Sequence, residues 1–123
     1  MRASTADAGK SEVLDEVALM KLVGGDRELA GQLAELFLED LAARVTEITA
    51  AITDRDADRL RAGAHALRGS AGSLMAGIVS AAAGVLEAMG RSGELGGAEG
   101  ALAELNSALA NLRPRLVLLA RRP

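Results

Sequence analysis

The sequence predicts an all-α protein, an up-down-up-down four-helix bundle with a short additional N-terminal helix. Three observations carry that expectation. Apolar residues recur three or four apart through most of the chain, and no stretch alternates with the period of two that a half-buried strand requires. Hydrophobic residues make up 50% of the chain, yet Phe37 is the only aromatic, so the core is Leu, Ile, Val, Met and Ala. That composition suits close-packed helices better than strands, which favour β-branched and aromatic side chains. The 123 residues are enough for about one domain.

Residues 1–10 are small and polar and read as a flexible N-terminal leader, followed by the bundle domain over residues 11–123. Ser11 is placed to cap a short helix carrying Val13, Leu14, Val17, Met20 and Leu22, which Gly24-Gly25 stops. Asp26 caps the next helix, with Glu28 in its first turn near the positive end of the dipole. Its apolar positions are Leu29, Leu33, Leu36, Phe37, Leu41, Val45, Ile48 and Ile52. Thr53-Asp54-Arg55 forms the turn, and Asp56 caps a helix through Leu60, Ala64, Leu67, Ala71 and Leu74. A break around residues 72–77 leads to a helix with Ile78, Val79, Ala82, Val85, Leu86 and Met89, ending near Arg91-Ser92-Gly93. The last helix carries Ala98, Ala101, Leu102, Leu105, Leu109 and Leu112, and Pro114 is expected to bend or end it. Leu116 to Leu119 would add one more turn against the bundle.

Fourteen basic and seventeen acidic residues give a net charge of −3, which offers no nucleic-acid footprint. The absence of cysteine removes disulfides, thiolate metal sites and cysteine nucleophiles. No signal-like core precedes the domain, and no apolar run approaches the roughly 18–20 residues that cross a bilayer. A cytoplasmic protein without membrane or nucleic-acid contacts is the expectation.

One histidine stands out because it is alone. On a helical wheel, Leu60, Ala64, Leu67, Ala71 and Leu74 fall within roughly 40° of one core direction, and His65 lies roughly 140° away, facing solvent. Arg61 and Arg68 flank it on that face at i−4 and i+3, with Gly69 and Gly72 one and two turns on. An imidazole between guanidinium groups is a poor metal site and a good place for a phosphoryl group. Gly69 in mid-helix costs about 1 kcal/mol against Ala, which makes sense where another molecule must approach the backbone.

The run His65-Ala66-Leu67-Arg68-Gly69-Ser70-Ala71, followed by Leu74 and Ala76, resembles the phosphorylation motif of histidine-containing phosphotransfer (HPt) domains, His-x-Leu-Lys-Gly-Ser with a following hydrophobe, Gly and Ala. Gly24 to Leu29 and Leu36 to Asp40 are similar to the family's opening helix, and Leu86-Glu87 and Arg91 to Leu95 to its Leu-Glu and Arg-x-Gly-Asp-Leu segments. The resemblance spans roughly residues 12–112. Three departures stand out: Arg68 where Lys is commoner, Met75 where Gly is usual, and Ala82 and Ala83 in place of bulkier residues. The last two suggest an altered contact near the junction of the third and fourth helices.

The resemblance implies a phosphorelay carrier. His65 would take a phosphoryl group on an imidazole nitrogen, normally Nε2, from a receiver-domain aspartate and pass it to another; the attacking ring must be neutral, the form imidazole mostly takes at neutral pH. Arg68 and Arg61 would offset phosphate charge, Gly69 and Gly72 would let the receiver come close, and Ser70, nearer the buried flank, would stabilise or orient the helix. The partners implied are a response-regulator receiver domain, a hybrid histidine kinase, or both. No cofactor is implied, since magnesium belongs to the receiver. Autokinase activity is not expected: Ala66 follows the histidine where kinases place an acid, and no nucleotide-binding domain or Gly-rich phosphate loop is present. A metal-binding bundle is disfavoured because Glu35, Glu39, Asp40 and Glu47 read as a solvated face. The alternative is a helical adaptor or dimerisation module that binds partners without phosphotransfer, in which His65 would be replaceable.

Overall fold

The computed structural model describes residues 12–121. Five helices follow one another: α1 (Glu16–Leu22), α2 (Arg27–Thr53), α3 (Ala57–Ser73), α4 (Gly77–Ser92) and α5 (Ala98–Arg121). The described residues contain no strand. The four long helices pack in a closed ring, α2 on α3, α3 on α4, α4 on α5 and α5 back on α2, with α3 and α4 the most intimate pair. Short connections make sequence neighbours antiparallel, as expected of such a bundle. The predicted leader and the Ser11 cap lie outside the described residues.

Aspartates begin three of the helices. The carboxylates of Asp15, Asp26 and Asp56 each accept the backbone N–H three residues on, at 3.0, 3.0 and 3.1 Å. The first helix therefore starts at Asp15, later than a Ser11 cap would place it. α4 has no side-chain cap, since Ala76 occupies that position. The chain segment entering α1 supplies the missing acceptor: Ile78 N–H donates to the Glu12 carbonyl at 3.1 Å, and Asp15 N–H donates to the Met75 carbonyl at 2.9 Å. Arg115 of α5 secures the same segment through the Leu14 carbonyl, 3.1 Å away. The turn between α3 and α4 needs a left-handed residue, and Met75 takes it with φ +63°. Glycine's usual place there follows from its lack of a Cβ.

Leu60, Ala64, Leu67, Ala71 and Leu74 are all buried, as the wheel predicts. The α2 stripe differs. Its buried residues are Ala30, Gly31, Ala34, Phe37, Leu41, Ile48, Ala51 and Ile52, while Leu29 and Leu36 are exposed. Successive steps of three and four drift around a long helix, and these two leucines sit roughly 120° from the core direction. Val17, Leu22 and Val85, also read as apolar-face positions, are exposed too. Ala83 is buried, and Ala82 borders a shallow recess with Val85 and Ala101, between α4 and α5.

Pro114 does not end α5, which continues to Arg121. An interior proline costs about 3 kcal/mol. Beyond it Leu116 and Leu119 are buried, each contributing about 1.5–3 kcal/mol, which offsets the lost hydrogen bond. Gly31 permits that contact, because a Cβ there would stand 2.9 Å from the Leu119 carbonyl oxygen.

Candidate functional site

His65 projects from the middle of α3 with 61% of its side chain exposed, on the far side of the helix from its buried stripe. One ring nitrogen is committed. Nδ1 lies 2.8 Å from Oε2 of Glu87 on α4. Glu87 is the one buried charged or polar residue among the described residues, its side chain only 4% exposed. Its carboxylate also meets Arg68, whose Nε is 2.7 Å from Oε1, and Arg91, whose Nη2 is 3.0 Å from Oε2. A carboxylate buried this far persists only when paired, and here three donors surround it.

The hydrogen bond from His65 holds the Glu87 carboxyl below its ordinary value of 4.5; burial opposes the shift, and the positive charges of Arg68 and Arg91 assist it. Glu87 is therefore an ionised acceptor at neutral pH. An ionised carboxylate cannot donate, so Nδ1 carries the ring proton. In the neutral imidazole this leaves Nε2 with the free lone pair, and nothing among the described residues hydrogen-bonds it. The arrangement presents a fixed tautomer to solvent with a nucleophilic nitrogen outermost.

Glycine brings the carboxylate within reach. Gly90, one turn beyond Glu87, faces the backbone of α3: a Cβ there would lie 2.5 Å from Arg61 N and 2.8 Å from Ala57 O. Without that Cβ the α3 and α4 backbones approach closely enough for the Glu87 carboxylate to reach Nδ1 of His65. Gly84, one turn before Glu87, leaves space for the Arg68 stem, its Cβ position being 3.4 Å from Arg68 Cδ. The Ser80 hydroxyl donates to the Arg68 carbonyl at 3.1 Å.

Of the residues singled out in the sequence, His65 and Arg68 share this cluster. Arg61 is exposed on the same face and makes no ion pair among the described residues. Gly69 is exposed, and a Cβ there would meet nothing. Gly72 faces α4, its Cβ position 3.4 Å from the Ser80 hydroxyl, which gives it a part in helix packing. Ser70 lies on the opposite flank, half-buried beside a recess bordered by Leu22, Leu36 and Phe37, away from the imidazole. The sequence reading noticed Leu86-Glu87 and Arg91 only as parts of a resemblance and assigned them no chemistry. The available signal was an acidic residue in the apolar phase of a helix, among Val79, Ala83, Leu86 and Gly90, with an arginine four residues on. No three His, Cys, Asp or Glu side chains among the described residues gather as a metal ion requires, and no helix there is long and apolar enough to cross a membrane.

Comparison with known proteins gives two findings. The family model described as "Hpt domain" matches residues 32–114. The crystal structure of histidine-containing phosphotransfer protein B (HptB) from Pseudomonas aeruginosa PAO1 superposes with a TM-score of 0.84 at 25% sequence identity, over 92% of this chain and 98% of that one. No curated protein matches the sequence.

Proposed function

The chain belongs to the Hpt-domain family and is a histidine phosphotransfer protein of two-component phosphorelays; from that premise we propose that Nε2 of His65 is the atom that carries the phosphoryl group. The observation that carries this reading is the exposed ring whose other nitrogen is held by a buried carboxylate.

The chemistry follows from the geometry. The Nε2 lone pair attacks phosphorus on a receiver's aspartyl phosphate. The N–P bond forms as the P–O bond to the aspartate breaks, and that electron pair leaves with the aspartate as a carboxylate. The proton on Nδ1 stays in place, so the ring gains positive charge. Glu87, 2.8 Å from that nitrogen, offsets the charge as it develops. Return transfer reverses each step. Phosphoryl transfer asks little covalent chemistry of the protein, only in-line positioning and charge stabilisation. Arg68 and Arg61 supply positive charge beside the phosphate, and the bare backbone at Gly69 admits the edge of the receiver.

The partners of this reading are a receiver domain, a hybrid histidine kinase, or both, and its setting is the cytoplasm. The protein is a carrier with no ATP-binding or kinase chemistry of its own. The test is to incubate the purified protein with a phosphorylated receiver. An acid-labile, base-stable label that His65→Gln lacks is expected. Binding without any transfer would instead favour a helical adaptor.

A further inference from the structure

The seam between α4 and α5 leaves one large apolar side chain in water. Val85 is 51% exposed, although Val79 and Leu86 on the same helix are fully buried. Two adjoining recesses share it. One is bordered by Ala81, Ala82, Ala101 and Glu104, the other by Ala88, Met89, Glu94 and Gly97. From Ala81 to Ser92 the seam follows about three turns of α4, roughly 16 Å. An exposed apolar floor of that length fits one face of a short helix. The charge around it has a single sign. Glu104 borders the first recess and Glu94 the second, and no basic side chain lines either. Neither carboxylate is in an ion pair or accepts a hydrogen bond among the described residues. The seam also faces away from the imidazole, because Val85 lies roughly 200° around α4 from Glu87, the residue that meets His65.

We propose that the α4–α5 seam docks an amphipathic helix of a partner protein, apolar along one stripe and basic at its edges, while His65 stays open to a receiver. Val85 is the anchor. Apolar side chains three and four apart on the partner pack around it and over the alanine floor, which takes the exposed apolar surface out of water. Lysine or arginine at the edges pairs with Glu94 and Glu104, and those two carboxylates refuse an acidic helix of the same shape. A second copy of this chain is a poor occupant. A twofold contact of the seam with itself would set the unpaired Glu94 and Glu104 carboxylates against further carboxylates. Docking there does not depend on which atom carries the phosphoryl group. It gives the protein a second surface, by which a partner can hold it without blocking transfer.

The probe is a synthetic peptide of about fourteen residues, with leucines spaced three and four apart and lysines flanking them. A matched peptide carries glutamate in place of each lysine. Each is titrated into the ¹⁵N-labelled full chain, and amide shifts are followed at low and at physiological salt. The lysine peptide is expected to bind with a dissociation constant on the order of 100 μM, its shifts centred on residues 81–92 and 97–104. Val85→Ser should weaken that binding about fivefold, through lost apolar contact. Glu94→Gln combined with Glu104→Gln should weaken it about threefold at low salt and flatten its salt dependence. All three side chains are exposed, so unchanged melting temperatures would separate lost docking from lost fold. Transfer from a phosphorylated receiver should stay within about twofold of its peptide-free rate when the seam is saturated. Shifts centred on the His65 face or on the recess beside Ser70 would overturn the proposal. So would equal binding of the glutamate peptide, wild-type affinity in Val85→Ser, or no shifts at about 1 mM peptide. Seam shifts that grow on concentrating the peptide-free protein would overturn it in favour of a second copy. Transfer slowed about tenfold by bound peptide would overturn simultaneous engagement of the two partners.

Discussion

In a Gly69→Ala variant the added methyl group would enter open space, since nothing lies within 4 Å of the Cβ position. Gly69 is inside α3, four residues from its C-terminal end. Replacing an interior helical glycine by alanine stabilises by about 1 kcal/mol, through lower backbone entropy in the unfolded chain. With an unfolding entropy near 2.1 cal/mol/K per residue, a chain of this size should gain about 4 °C in melting temperature. Function should move the opposite way. Gly69 is one turn from His65 on the exposed face, where a methyl group would hold an incoming receiver off by about a bond length. A displacement of that size in an in-line transfer slows it on the order of 10- to 100-fold. Thermal and urea denaturation read the first effect, and single-turnover transfer from a phosphorylated receiver reads the second. A drop in stability would mean that the position is not open, and an unchanged transfer rate would mean that no partner comes near the backbone there.

Gly90→Ala should do the reverse. Its methyl would press on α3 backbone atoms at 2.5–2.8 Å, an overpacking cost of about 3 kcal/mol against about 1 kcal/mol gained in helix propensity, and calorimetry should show melting about 8 °C lower. The Glu87 carboxyl is held below its ordinary 4.5, so the unfolded chain binds more protons than the folded one and stability rises with pH through that window. The stability advantage of wild type over Glu87→Gln, followed by urea titration, should be full above about pH 5 and shrink as pH falls below 4.5; an advantage independent of pH would refute the pairing of Glu87 with His65, Arg68 and Arg91. At Met75, with φ +63°, Met75→Ile should destabilise by about 2 kcal/mol, because a β-branched residue fits the left-handed region poorly. Met75→Gly should stay within about 1 kcal/mol of wild type, relief of strain offsetting lost contact with the core, and equal losses in the two variants would contradict the backbone argument.

The α3 stripe and the solvent position of His65 were legible because a helix whose apolar residues keep one phase leaves no choice of face. The same logic failed for Leu29 and Leu36 because alanines, weakly marked as hydrophobic, occupy much of the α2 core face. Pro114 misled for a related reason. Local propensity opposes a helix there, but Leu116 and Leu119 bury enough apolar surface to carry α5 through. Glu87 was hidden because its partners are on two helices, 22 residues apart for His65, and only packing at Gly90 brings the helices close enough to join them. Half of the site is thus written in one motif. The other half exists only once α4 is laid against α3.

With Nδ1 tied to Glu87, the proposed reacting atom is Nε2, and two-dimensional ¹H–¹⁵N NMR of the phosphorylated, ¹⁵N-labelled protein tests that most directly. Phosphorus coupled to Nε2 of His65, with the Nδ1 proton retained, is the predicted result. Phosphate on Nδ1, or on a residue other than His65, would contradict it.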